Sequence, residues 1–147
     1  MCLHTKQRKP AVAKKVIICY KTVRRLSTGF FSEFYSFRYK IGREYTVRKG
    51  KLISFPDNGS YLKNNIISYG FHSYARLKDA INDINYKNNE VVLKCEIPAG
   101  ARYWTGNIDL FDKDDYNYKE YCSERIKVVA WRYKKDSKWN YGTIPGE

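Results

Sequence analysis

The chain lacks any apolar run approaching the roughly 20 residues that a transmembrane helix needs, so no helical membrane span and no membrane partner are expected. Residues 1–13 are basic but have no apolar centre of the kind a signal peptide carries, which points to a cytosolic protein. The four cysteines, Cys2, Cys19, Cys95 and Cys122, form no C-x-x-C pair, so a zinc knuckle is unsupported and no metal site is expected. Glycine-rich phosphate loops, H-E-x-x-H, G-x-S-x-G and paired-carboxylate signatures are missing too, which leaves no motif-based enzyme class and no implied cofactor. There is no internal repeat and no low-complexity tract. Acidic residues are scarce: 15 Asp and Glu face 28 Lys and Arg, a formal net charge of +13. Such an imbalance attracts phosphates or acidic protein surfaces, so the expected partner is an acidic macromolecule, a protein or a nucleic acid.

What the chain does have is aromatic and apolar bulk. At 147 residues it fits one domain. An apolar fraction of 43% against 29% charged is enough to offset the entropy of ordering it. Fourteen tyrosines lift the aromatic share to 16%, which suits strands and half-buried faces, where a ring packs and a hydroxyl meets water. Cys19, within V-I-I-C-Y, and Cys95, within V-V-L-K-C-E-I, read as core thiols.

The richest stretch is Tyr69 to Trp104. Tyr74, Leu77, Ile81 and Ile84 recur at helical spacing, with Arg76, Lys78, Asp79, Asn82 and Asp83 on the opposite side and Ser73 placed to cap the first turn. A helix over about 73–86 is therefore expected, followed by a buried strand at Val91 to Ile97 that Pro98-Ala99-Gly100 ends. Earlier, Val16 to Val23 reads as a strand, Ser27 to Gly29 as a turn and the Phe- and Tyr-rich segment after it as irregular. Glu44 to Arg48 and Leu52 to Phe55 read as a hairpin about Lys49-Gly50, and Pro56-Asp57-Asn58-Gly59 as a turn. Arg125 to Tyr133 reads as a final strand. The acidic segment before it contains Asp112-x-Asp114, but a calcium loop would need Gly where Asn117 stands, so a solvated loop is expected. The resulting class is α+β: one small domain over 15–135, a mostly antiparallel, strongly twisted sheet with one principal helix and long aromatic loops. A basic arm over 1–14 precedes it and a tail over 136–147 follows.

Two residues offer catalysis. His72 follows Gly-Phe at the expected helix start, where free N–H groups position an imidazole or an anion, although no catalytic partner is adjacent and packing or hydrogen bonding at the turn is the favoured reading. Removal of Met1 would expose Cys2 as a joint amine and thiol nucleophile, but the arm after it is basic and broken by Pro10. For binding, the candidates are cations beside rings: Arg38 and Lys40 around Tyr39, Arg102 with Trp104, and Arg132, Lys134 and Lys135 after Trp131. Rings of this kind stack bases while the cations neutralise phosphates.

The opening M-C-L-H-T-K-Q-R-K-P together with Y-G-F-H-S-Y, C-E-I-P-A-G-A-R-Y-W and C-S-E-R-I-K-V-V resembles small proteins of tailed phages and prophages of Bacteroidetes-type hosts. That family brings no established activity, so the resemblance transfers no functional residue. It implies an accessory protein in the host cytoplasm that binds a host or viral macromolecule, or else a virion or assembly component. The Gly-Phe-His turn is also similar to that of ADP-ribosyltransferase-like domains, which implies an NAD-binding cleft lined by His72 and Tyr74. The E-x-E pair of those domains is missing.

Overall fold

Segments dense in β-branched and aromatic residues supply strands, and these are the main elements among the described residues. The computed structural model describes residues 3–5, 7, 9–32, 37–47, 54–56, 65–67, 70–83, 90–106 and 119–142, with 4, 54–56 and 65–67 described through the backbone alone. The first strands are β1 (Leu3–Thr5), β2 (Ala11–Val12), β3 (Ile17–Leu26), β4 (Gly29–Phe31), β5 (Arg38–Tyr39), β6 (Glu44–Thr46), β7 (Ser54–Pro56) and β8 (Asn65–Ile67). Then come β9 (Phe71–Tyr74), helix α1 (Leu77–Asn82), β10 (Glu90–Ile97), β11 (Arg102–Gly106), β12 (Glu120–Ser123) and β13 (Arg125–Tyr133). All described pairings are antiparallel. The chain is thus a mostly antiparallel sheet protein with a single short helix among the described residues.

The large sheet runs β2-β11-β12-β9-β3-β10-β13-β6, and β8 lies between β1 and β7 in a separate three-stranded sheet. Its spine is β3-β10-β13. Cys19 stands opposite Cys95, and Leu93 stands opposite both Lys21 and Trp131. Alternation then sends Cys19 and Val23 of β3, and Val91, Leu93, Cys95 and Ile97 of β10, to one face. There they form the main core with Phe30, Phe71, Tyr121, Ile126, Val128 and Trp131. Cys19, Cys95 and Cys122 are buried and form no disulfide among the described residues. Burial pushes the Cys19 thiol up to about 11 and raises Cys95 as well, so both are inert core groups, as their apolar contexts implied.

On its other edge β3 is shared. Tyr20 pairs with Tyr74 of β9, while Arg24 to Leu26 form a hairpin with β4 across the turn at 27–28. Of the expected hairpin of Glu44–Arg48 with Leu52–Phe55, the described parts, β6 and β7, do not pair with each other, and residues 48–53 lie outside the described residues. β6 pairs with β13, setting Tyr45 opposite Ile126, and β7 pairs with β8 in the small sheet. Val47 N–H extends the β6 contact by donating to Glu124 O at 2.9 Å. Half-buried Tyr45 gains an apolar neighbour from the distant pairing that a local hairpin would not supply. The turns expected at 49–50 and 56–59 and the acidic loop fall largely outside the described residues.

The helix is the other correction. Ser73 is buried in β9 opposite Tyr121 and caps nothing; α1 starts four residues later behind Arg76, which makes no side-chain cap hydrogen bond. Phe71 and Ser73 alternate with His72 and Tyr74, and that two-residue period fits the edge of β12, so tertiary pairing takes the segment from the helix. Asp79, expected to face outward, is 3% exposed and accepts from Arg76 Nε at 2.9 Å. A six-residue helix is too short to show a full apolar stripe, so its covered side is set by where it rests. It rests on β3, where Thr22 Oγ1 donates to Ala80 O at 2.6 Å. Residues 84–86 of the expected helix lie outside the described residues.

Candidate functional site

The face of the sheet opposite the main core decides what is available for function. Pairing places Trp104, Cys122 and His72 in one row across β11, β12 and β9, and Glu120, Tyr74, Tyr20 and Lys94 in the next across β12, β9, β3 and β10. Three pieces of chain cover this outer face. At one end β1 crosses it, and Leu3, fully buried, packs with Trp104 and Cys122. Thr5 Oγ1 anchors β1 by donating to Thr105 O at 2.7 Å. In the middle lies α1. At the far end lies the chain after β13, which turns back so that Trp131 and Asn140 exchange backbone hydrogen bonds of 2.9 and 2.8 Å.

His72 therefore sits in a strand, not at a helix start, and its ring is enclosed. Nε2 lies 3.8 Å from Cys122 Sγ, and Nδ1 is buried without a hydrogen-bond partner. Burial, with Lys21 adding to it, pushes the imidazole down to about 3, so the ring is neutral at physiological pH. Its carbonyl accepts from Lys21 Nζ, and that ammonium also lies 5.6 Å from the centre of the Tyr39 ring on the core side. Tyr74, the other residue proposed to line a cleft, donates its hydroxyl to Asp83 Oδ2 at 3.0 Å. Cys2 lies outside the described residues.

The predicted binding residues separate. Trp104 is 2% exposed beneath β1 and unavailable to a ligand. Arg102 is exposed and donates to Glu124 Oε2 at 2.7 Å. Arg38 is exposed on β5, with Lys40 just after it, at the end of the β3-β4-β5 branch. Lys134 is held inside an ion pair: Nζ lies 2.8 Å from Glu90 Oε2 and 2.5 Å from Asp83 O. Arg132 and Lys135 remain at the end of β13, where Lys135 is exposed. From Arg102 to Arg132 the path crosses β12, β9, β3 and β10, so the two do not form one site.

Arg132 belongs instead to a cluster that the sequence did not single out. Trp139, carried back over the outer face, stacks on Tyr20 with ring centres 6.0 Å apart and planes at 25°. Arg132 Cζ lies 5.4 Å and Lys94 Nζ 5.9 Å from the centre of the same ring. Both cations are within the range in which a ring quadrupole attracts a charge. On the core side of the same strand ends, Arg25 covers Trp131 at 4.7 Å and Tyr133 at 5.5 Å, and donates to the Tyr133 hydroxyl. Tyr133 at the end of β13 and Tyr141 on the returning segment are exposed, at 42% and 61%. The signal for this cluster was the alternation of K-W-N-Y at 138–141. Its spacing puts Trp139 and Tyr141 on one side of an extended segment and Asn140, bridged to Trp131, on the other.

Most of the described carboxylates are buried or half-buried. Asp79, Glu90 and Glu120 are buried, and among the described residues only Glu44 and Asp136 are exposed. Burial first, with Asp83 and Asp79 nearby, pushes Glu120 up to about 9, so it is protonated at neutral pH. Burial likewise raises Asp83. No group of three or more His, Cys, Asp or Glu side chains among the described residues is arranged to hold a metal ion. No described helix is long and apolar enough to cross a membrane. No protein family, curated protein or solved structure matches the chain.

Proposed function

We propose that this chain is a non-enzymatic accessory protein, of phage origin by its sequence resemblance, that binds an acidic macromolecule through a basic, tyrosine-rich surface. The observation that carries this reading is the separation of charge. The buried acids contribute little outward field, whereas Lys14, Lys15, Arg38, Lys127, Lys135 and Lys138 are all exposed. Among the described residues the exposed cations outnumber the exposed carboxylates, Glu44 and Asp136, and a cationic surface with interleaved rings suits a polyanion.

The NAD-dependent alternative finds no observation of its own, because the His72 ring is enclosed and the Tyr74 hydroxyl is engaged. The α+β class belongs to the same reading, with α1 as the element that braces the outer face.

The test is equilibrium binding of a labelled oligonucleotide and of host-cell proteins to the purified chain. Nucleic-acid affinity is expected to fall steeply between ~50 and ~200 mM salt, as counterion release requires. Failure to bind nucleic acid at low salt, together with failure to retain any host protein in a pull-down, would overturn the proposal.

A further inference from the structure

The aromatic end of the outer face allows the partner to be specified. Resting on the polyanion reading above, we propose that Tyr20, Trp139 and Tyr141 form a stacking platform for single-stranded nucleic acid, with Lys94, Arg132 and Lys138 neutralising its phosphates.

A nucleic acid uses cations and ring faces together, the cations on its phosphates and the rings as stacking surfaces for its bases. At this site the two are combined. Trp139 is half-buried over Tyr20 in a near-parallel stack, so the plane in which a base would continue the stack is already fixed. Lys94 and Arg132 are held at that ring. Lys138 is exposed immediately before Trp139, and Tyr141 is 61% exposed two residues after it.

The spacing selects the form of the nucleic acid. Side chains two residues apart on an extended chain are about 6.8 Å apart, whereas bases in a duplex are ~3.4 Å apart along each strand. Bases resting on Trp139 and Tyr141 must be drawn apart, which a single strand permits and a duplex does not. Stacking of this kind is tolerant of sequence, because every base has a π-face. Two carboxylates of the outer face are withdrawn, Glu90 being buried with one oxygen on Lys134 and Glu120 protonated, which leaves Asp136 as the exposed acid on the returning segment, beside exposed Lys135 and Lys138.

The experiment titrates a labelled 12-nucleotide oligo(dT), a duplex of equal length and heparin into the full chain, read by anisotropy and by tryptophan fluorescence. Trp104 and Trp131 are 2% and 8% exposed, so quenching by oligo(dT) reports mainly on Trp139. Trp139→Ala is expected to weaken oligo(dT) binding about 5- to 150-fold, the range for loss of one base stack, and to leave heparin binding within about twofold. Tyr141→Ala, at an exposed position, is expected to show the same selectivity with an unchanged melting temperature, and Trp139→Phe to restore most of the affinity. The inference is overturned if both alanine variants keep the oligo(dT) affinity, if oligo(dT) and heparin weaken equally, or if the duplex binds as tightly as the single strand. Capture of an acidic host protein with no oligo(dT) binding would sink this inference and spare the broader reading. Absence of binding to oligo(dT), heparin and host protein alike would sink both.

Discussion

Replacing Lys134 with methionine distinguishes a residue that holds the fold from one that holds a ligand. Its Nζ pairs with Glu90 Oε2 at 2.8 Å and also caps Asp83 O, while the other Glu90 oxygen, Oε1, is buried with no partner. The Glu90 side chain is 3% exposed and that of Lys134 22%. Removing one partner of a fully buried pair costs about 3–5 kcal/mol, because the remaining charge is left uncompensated. Partial solvent access at Lys134 reduces this to about 2–3 kcal/mol. For a chain of this length that is a fall in melting temperature of roughly 5–10 °C. The double variant Lys134→Met, Glu90→Gln, which removes the stranded charge, is expected to recover about 1–2 kcal/mol of the loss. Urea unfolding of the four proteins in the cycle measures this, and oligonucleotide affinity per folded molecule should hold in all of them. A Lys134→Met cost below ~0.5 kcal/mol, or a double variant as unstable as the sum of the singles, would refute the buried-pair account.

The other predictions concern charge, backbone and core. Glu120 keeps its proton up to about 9 in the fold against a reference of 4.5, and His72 loses its proton above about 3 against 6.5. Stability should therefore fall as pH drops from about 4.5 to 3, where His72 dominates, and as it rises from about 6.5 to 9, where Glu120 does, with opposing slopes between. Glu120→Gln should abolish the alkaline fall, as followed by denaturant midpoint against pH, and an unchanged alkaline limb would count against a neutral Glu120. Gly100, at φ +87 in the turn after β10, should lose about 1 kcal/mol on replacement by alanine, although nothing lies within 4 Å of the added Cβ, because the conformation itself is strained. Phe30→Ala should cost about 3–5 kcal/mol in the same unfolding assay, since its fully buried ring packs 5.5 Å from that of Trp131. Lys135→Gln should leave stability unchanged and lower the salt slope of oligonucleotide binding by about one unit.

Legibility in the sequence tracked the range of the contacts involved. β13 was readable to the residue because Ile126, Val128 and Ala130 alternate within an apolar, β-branched run, and β10 to within one residue for the same reason. At Ser73 and Tyr74 two periods overlap, and only the presence of β12 alongside selects the strand over the helix. β6 went to β13 because its partner lies some 80 residues away in sequence, a relation that no local turn signal encodes. Candidate-site residues behaved likewise. Arg102 and Trp104 share a side of β11, yet one is exposed and the other 2% exposed, because β1 covers only the second. Arg132 was found from its neighbours in W-R-Y-K-K, whereas Tyr20 and Lys94 join it only once β3, β10 and β13 are aligned.

That alignment also accounts for where the positive charge can act. A net charge of +13 spread evenly would destabilise the fold by self-repulsion and mark no site. The chain instead commits some of its cations to internal partners: Lys134 to Glu90 and Lys21 to the His72 carbonyl, while exposed Arg76 is paired with buried Asp79. The Lys134–Glu90 pair leaves the surface field together. Cations at the β13 end have a different role, since Arg132, Lys94 and Arg25 are set against the rings of Trp139, Trp131 and Tyr133. Attraction to a ring face is about 0.5–1 kcal/mol at an exposed site and about 2 kcal/mol when desolvated, so these half-buried cations also help to hold the β13 end. The same contacts hold charge and π-surface side by side, which is the combination a single-stranded nucleic acid uses.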